Sequence, residues 1–238
     1  MNMSKYVGEF LATLIFIWLG NGVVASVNLE KCKGKNGGWL VVTCAWGFAV
    51  TFSIYLFGDI SGAHMNPVVT LASAMYGQFQ WSMVPGYVIA QMFGAFFGSI
   101  LVFLSYYNHW TDMNDSDIIL ACFCTSPAIK NRFANFLTEF LATTLLIFGL
   151  NRLGEIKMTE GLAPIITGCF IISIGLSLGS PTGFAMNPAR DFGPRIAHSL
   201  LPITNKGESE WDYSWIPIVA PIFGGVIGGM LQKLVFSN

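Results

Sequence analysis

The sequence predicts an all-α membrane protein in which six transmembrane helices and two re-entrant half-helices form an inverted repeat of three spans. Three observations predict it. The 238 residues are 53% hydrophobic and 11% charged, with a mean hydropathy of +0.59, which leaves too little polar surface for a soluble globule of this size. Met65-Asn66-Pro67 recurs as Met186-Asn187-Pro188, 121 residues later. Glu9-Phe10-Leu11-Ala12-Thr13 recurs as Glu139-Phe140-Leu141-Ala142-Thr143 at an offset of 130, and Gly94 and Gly98 match Gly224 and Gly228 at that same offset.

The first apolar run, Phe10 to Val27, holds no charged residue, and a helix needs about 20 residues to cross a bilayer. The run exceeds the roughly 7 to 15 residues of a cleaved signal peptide's apolar core, and Glu9 sits at its mouth. In order, the spans read Tyr6 to Val27, Trp39 to Phe57, Trp81 to Tyr106, Phe133 to Leu150, Leu162 to Leu178 and Trp215 to Phe236. A polar loop with Lys31, Lys33 and Lys35 joins the first two. The third and fourth are linked by a longer loop with Asp112, Asp115 and Asp117, and the fourth and fifth by a short one with Arg152, Glu155 and Lys157. No linker or charge run marks a second domain, so residues 1–238 read as one transmembrane domain, its halves near 1–115 and 130–238. With three spans per half, an odd number, the second copy enters the membrane from the opposite side. Such repeats place their functional site near the midplane. The matched glycines form small-xxx-small pairs for close helix packing.

Each Asn-Pro segment reads as unwound backbone leading into a short helix, with Asn as N-cap and Pro at the first helical position, where a missing N–H costs nothing. Pro67 to Tyr76 is ten residues, about 15 Å of helix, or half of a hydrocarbon core of roughly 30 Å. Two such half-helices entering from opposite sides make one discontinuous seventh span whose tips, Asn66 and Asn187, meet near the middle. Unwound backbone at that depth is tolerated only where it is buried in protein or lines a watery cavity, so the repeat points to a pore.

Two Asn-Pro segments in an inverted repeat of three spans, the second reading Gly183-Phe184-Ala185-Met186-Asn187-Pro188-Ala189-Arg190-Asp191, resemble the aquaporin family, and within it the glycerol facilitator (aquaglyceroporin) branch. The resemblance implies an aquaporin-like fold and a constriction formed by Trp46, Gly175, Phe184 and Arg190. Asp191 is also that branch's residue, whereas strict water channels tend to carry His at the position of Gly175. One departure is Val68, where the family usually has Ala; it bears on packing between the half-helix tips. The resemblance further implies a homotetramer of four independent pores in the plasma membrane with cytoplasmic termini. Under that orientation Lys31, Lys33, Lys35, Lys130 and Arg132 lie outside, against Lys5, Arg152, Lys157 and Lys233 inside, which does not follow the positive-inside rule.

A polyol has a carbon edge and a hydroxyl edge, and stripping a hydroxyl of water costs about 4 to 8 kcal/mol where nothing replaces its hydrogen bonds. Arg190 offers several donors in a fixed plane, and the carbonyls of Gly62, Ala63, His64, Phe184, Ala185 and Met186 are the expected acceptors. Trp46 and Phe184 offer an apolar corner, with a glycine at 175 leaving space opposite Arg190. Ions would face desolvation costs of about tens of kcal/mol, together with the charge of Arg190 and the positive ends of both half-helices. The symmetric Glu9 and Glu139 are read as acceptors for the unwound loops rather than as a proton relay. Asp191, favoured near a helix N-terminus, reads as loop support.

Three dispersed histidines and five cysteines make no metal spacing. No nucleophile and base pair suggests an enzyme, and no cofactor or nucleic acid is expected. The reading is a passive channel for glycerol and similar small neutral solutes, with some water, in contact with membrane lipid. The alternatives are a mainly water-conducting pore, a channel for urea or small undissociated acids, and, from another class, an ion-coupled secondary transporter.

Overall fold

The computed structural model describes residues 2–236, and every regular element among them is helical. Six long helices, α1 (Asn2–Asn28), α2 (Gly38–Ser61), α4 (Val84–Ser105), α6 (Arg132–Glu155), α7 (Leu162–Leu178) and α9 (Ile216–Phe236), surround two half-helices, α3 (Pro67–Met75) and α8 (Pro188–Leu200). Five of the six are long and apolar enough to cross a membrane. The sixth, α7, has 17 residues, or about 25 Å of rise, at the short end of the spanning range.

The six helices follow the expected order; α1, α2 and α6 run past their expected ends, α7 matches them, and α4 and α9 stop one to three residues short at their starts or finishes. Helix α2 continues through Asp59 to Ser61, and α6 includes Arg132 at its start and Arg152 and Glu155 at its finish. Extension of an existing helix is cheap, and Arg and Glu are good helix formers. Helix α2 stops where Gly62 takes φ 83° and its N–H bonds Gly58 O, a cap that glycine reaches without strain. The loop expected after the third span is also ordered: a 3₁₀ turn covers Tyr107–Asp112, and the short α5 (Ser116–Ala121) starts on Asp115, whose carboxyl accepts from Asp117 N and Ile118 N. Helix α3 has nine residues, with Tyr76 as its C-cap.

Packing follows the repeat. Helix α1 packs on α2 and α4 as α6 packs on α7 and α9, and the halves meet through α2 against α7. Each half-helix contacts both α4 and α9, and α3 meets α8. Lipid supplies no apolar driving force between helices, so close packing depends on small residues. A Cβ at Gly94 would lie 2.5 Å from Phe10 O, and one at Gly224 would lie 2.5 Å from Phe140 O. The two contacts are the same contact in the two halves.

Val68 also finds its place in this packing. It is 2% exposed and shares a cluster with Ala72 and Ile147, and its Cγ1 occupies the volume that a side chain at Gly225 would need. The position matching Gly225 in the first half is Ala95, so the larger residue on α3 faces a smaller one on α9.

Candidate functional site

The two unwound segments have the same backbone. Gly62, Ala63 and Met65 take positive φ (83°, 46° and 52°), as do Gly183, Phe184 and Met186 (89°, 67° and 48°). Four of these six are not glycine, and a left-handed conformation costs such residues about 1 to 3 kcal/mol each unless the surroundings enforce it. Two carboxyl groups enforce it. Glu9 accepts from His64 N (3.1 Å), Met65 N (2.5 Å) and Gln91 Nε2 (2.8 Å). Glu139 accepts from Ala185 N (3.2 Å), Met186 N (2.7 Å) and Thr182 Oγ1 (2.6 Å). With their N–H groups turned to these carboxyls, the loops are free to turn carbonyls the other way.

Each tip asparagine does two jobs at once. Asn66 Oδ1 caps Val68 N, and Asn187 Oδ1 caps Ala189 N and Arg190 N. Their amide nitrogens then reach across to the other half: Asn66 Nδ2 donates to Met186 O at 3.0 Å and Asn187 Nδ2 to Met65 O at 2.8 Å. A primary amide has two N–H donors, so each asparagine keeps one beyond this crosslink. The expected role of Met186 O as a free acceptor is modified, because one of its lone pairs serves Asn66.

A cavity of 390 Å³ runs along Gly62, Ala63, His64, Ala185 and Met186, past both tip asparagines, to Ser73, Asn151 and Glu155. A second cavity of 420 Å³ is lined by Trp39, Thr125 and Gly183 among others. Trp46 and Arg190 line both cavities, and each is only 3% exposed. This pair therefore forms a wall common to both cavities. The Arg190 guanidinium lies 4.4 Å from the Trp46 ring centre. Its Nε donates to Phe184 O (3.3 Å), and its Nη1 to Phe123 O (3.3 Å) and Asn21 Oδ1 (3.4 Å). Nη2 has no protein partner among the described residues.

Gly175 works differently from the sequence expectation. A Cβ there would sit 2.9 Å from Phe184 Cε1 and Cζ and 3.0 Å from Thr43 Cγ2. The room left by the missing side chain is taken by the Phe184 ring, not left open. Gly175 O also accepts from Trp39 Nε1 at 2.9 Å. His64 contributes more than its carbonyl, since its Nδ1 lies 3.1 Å from Thr70 Oγ1 and its ring packs on Phe79 and Tyr87.

Asp191 ties α8 to the chain beside it. One oxygen accepts from Thr125 N (2.8 Å) and Thr125 Oγ1 (2.5 Å), and the carboxyl takes Arg195 Nε and Nη2, both at 2.9 Å. Arg195 escaped the sequence reading, although its spacing of four from Asp191 on a helix was a signal for a pair. Its Nη1 also donates to Ser209 O at 2.7 Å and Glu210 O at 3.3 Å. Burial works to raise the Glu210 carboxyl, but bonds from Lys130 and Ser126 outweigh it and hold the group below the usual carboxylate range. Asn21 and Gln91 were missed as well; each is a lone amide in an apolar span, which at membrane depth signals a specific partner.

The comparisons with known proteins agree with this fold. The family profile described as "Major intrinsic protein" matches residues 1–232. A probable glycerol uptake facilitator protein of Thermotoga maritima is 54% identical over 98% of this chain and 100% of its own length. The glycerol uptake facilitator protein of Bacillus subtilis is 46% identical over 99% of this chain and 86% of its own. Among solved structures, the aquaglyceroporin of Plasmodium falciparum superposes with a TM-score of 0.87 at 28% identity, covering 100% of this chain and 98% of that one. With an inverted repeat of helices, paired half-helix tips and a family profile that spans nearly its whole length, this chain belongs to the major intrinsic protein family.

Proposed function

We propose that the chain is a passive channel for glycerol and similar small neutral solutes, passing some water and excluding ions and protons. The observation that carries this reading is the meeting of two cavities at Trp46 and Arg190, with Phe184 beside them. One side of that point offers aromatic faces and the other offers N–H donors, which matches a molecule with one carbon edge and one hydroxyl edge. Beyond it, the loop carbonyls accept and the spare N–H groups of Asn66 and Asn187 donate, so each hydroxyl leaving water meets replacement bonds. Trp46, Gly175, Phe184 and Arg190 form the selectivity filter in this reading. Glu9, Glu139 and Asp191 hold its loops. An ion finds no such exchange, because the carbonyls of a filter this wide do not surround it and repay its dehydration, while Arg190 and the two facing helix N-termini oppose a cation at the midplane.

The same reading places the protein in the plasma membrane with cytoplasmic termini, as a homotetramer in which each chain conducts by itself. It carries no catalytic step and needs no cofactor.

The test is light scattering from proteoliposomes challenged with glycerol, four- and six-carbon polyols, urea, lactic acid and an impermeant osmolyte for water. Glycerol is expected to enter many times faster than in protein-free vesicles, with flux falling as the polyol lengthens. Glycerol flux no greater than that of empty vesicles, beside fast water flux, would replace the reading with a water channel.

A further inference from the structure

We infer that Asn21, on α1, is a positioning residue for the filter: it orients the Arg190 guanidinium with a neutral acceptor and so leaves the filter's positive charge intact. The inference rests on the channel reading above and deepens it. Asn21 is fully buried and joins two elements distant in sequence. Its Nδ2 donates to Phe123 O at 2.7 Å, and its Oδ1 lies 3.4 Å from Arg190 Nη1. Phe123 O also accepts from Arg190 Nη1 at 3.3 Å, so amide, carbonyl and guanidinium close a triangle. The orientation of the amide follows from it, since the opposite one would face a donor with a donor.

The neighbouring residue completes the platform. The volume a side chain at Gly20 would fill is occupied by the six-membered ring of Trp46, and Phe16, one turn earlier on α1, meets that ring at 5.0 Å and 67°. Residues 16, 20 and 21 of α1 thus seat the two members of the filter that line both cavities. Trp46 is held by shape and Arg190 by hydrogen bonds.

The chemistry of the acceptor matters as much as its position. A carboxylate in place of Asn21 would hold the guanidinium more strongly, but would cancel the charge that repels cations. The nearest acid in sequence, Asp191, is already engaged by Arg195 through two bonds. The amide therefore separates two tasks, fixing the direction of Arg190 and preserving its charge.

The test compares Asn21→Val and Asn21→Asp with the parent in proteoliposomes, reading glycerol and water permeability by light scattering and proton leak with an internal pH dye. Asn21→Val is expected to lower the glycerol-to-water permeability ratio about tenfold, the scale of one charge-assisted hydrogen bond, with little added leak. Asn21→Asp is expected to keep the ratio close to that of the parent and to raise proton leak. If Asn21→Val does not fold, Asn21→Asp decides alone: raised leak supports the inference and unchanged leak overturns it. Parental ratio and leak in both variants overturn it, as does an equal loss of ratio in both with no added leak, which would make Asn21 a packing residue. A parent that conducts no glycerol removes the channel reading itself, and the inference with it.

Discussion

Gly175→His combined with Phe184→Cys is expected to abolish most glycerol flux while leaving measurable water flux in the same vesicles. The structure makes the pair of changes inseparable, because any Cβ at position 175 meets the Phe184 ring at 2.9 Å. Gly175→His alone would overpack this contact at a cost of about 1 to 3 kcal/mol, whereas Cys at 184 clears the volume the imidazole needs. In the proposed reading, the exchange removes the aromatic wall offered to a carbon edge and adds a polar group to the same filter. Water can bond to both polar groups and needs little width; glycerol loses its apolar contact and meets a narrower opening. A properly folded double variant that conducts glycerol as before would show that the constriction lies elsewhere.

Arg195→Met is expected to have the largest effect on stability. The Asp191–Arg195 pair is wholly buried, with both side chains 0% exposed, and Arg195 also binds the carbonyls of Thr125, Ser209 and Glu210. Removing one partner leaves an uncompensated buried charge, which costs about 3 to 5 kcal/mol. Thermal unfolding in detergent should show a clear drop in midpoint, partly reversed by adding Asp191→Asn, because Asn can still accept from Thr125. An unchanged midpoint for the single variant would mean that Asp191 finds another partner and that the pair does not anchor α8 to the segments around Thr125 and Ser209.

The fold could be read from the sequence because the repeat is written in local pattern. Apolar runs gave the spans, and Asn-Pro with its preceding glycine gave each half-helix tip. The equal spacing of Glu9 and Glu139 marked them as a pair before any partner was known. Span ends were less legible, since Arg152 and Glu155 continue α6 as a helix and a change from apolar to charged residues marks the membrane boundary rather than the helix boundary. Within the site, what the sequence concealed was pairing across distance. Asn21 meets Phe123 and Arg190, Gln91 meets Glu9 and Thr70, and Gly20 meets Trp46. None of these contacts leaves a periodic trace. Gly175 shows the same limit in another form: a missing side chain signals that something needs room, but only the fold shows that a ring of this chain fills it.

The central claim is that glycerol crosses passively through a pore that excludes ions. The most direct measurement follows labelled glycerol in proteoliposomes at equal inner and outer concentration, under an imposed proton or sodium gradient. The account predicts exchange of label with no net accumulation and no current, whatever the direction of the ion gradient. Accumulation of glycerol above its outer concentration, driven by either gradient, would contradict it and make the protein an ion-coupled transporter.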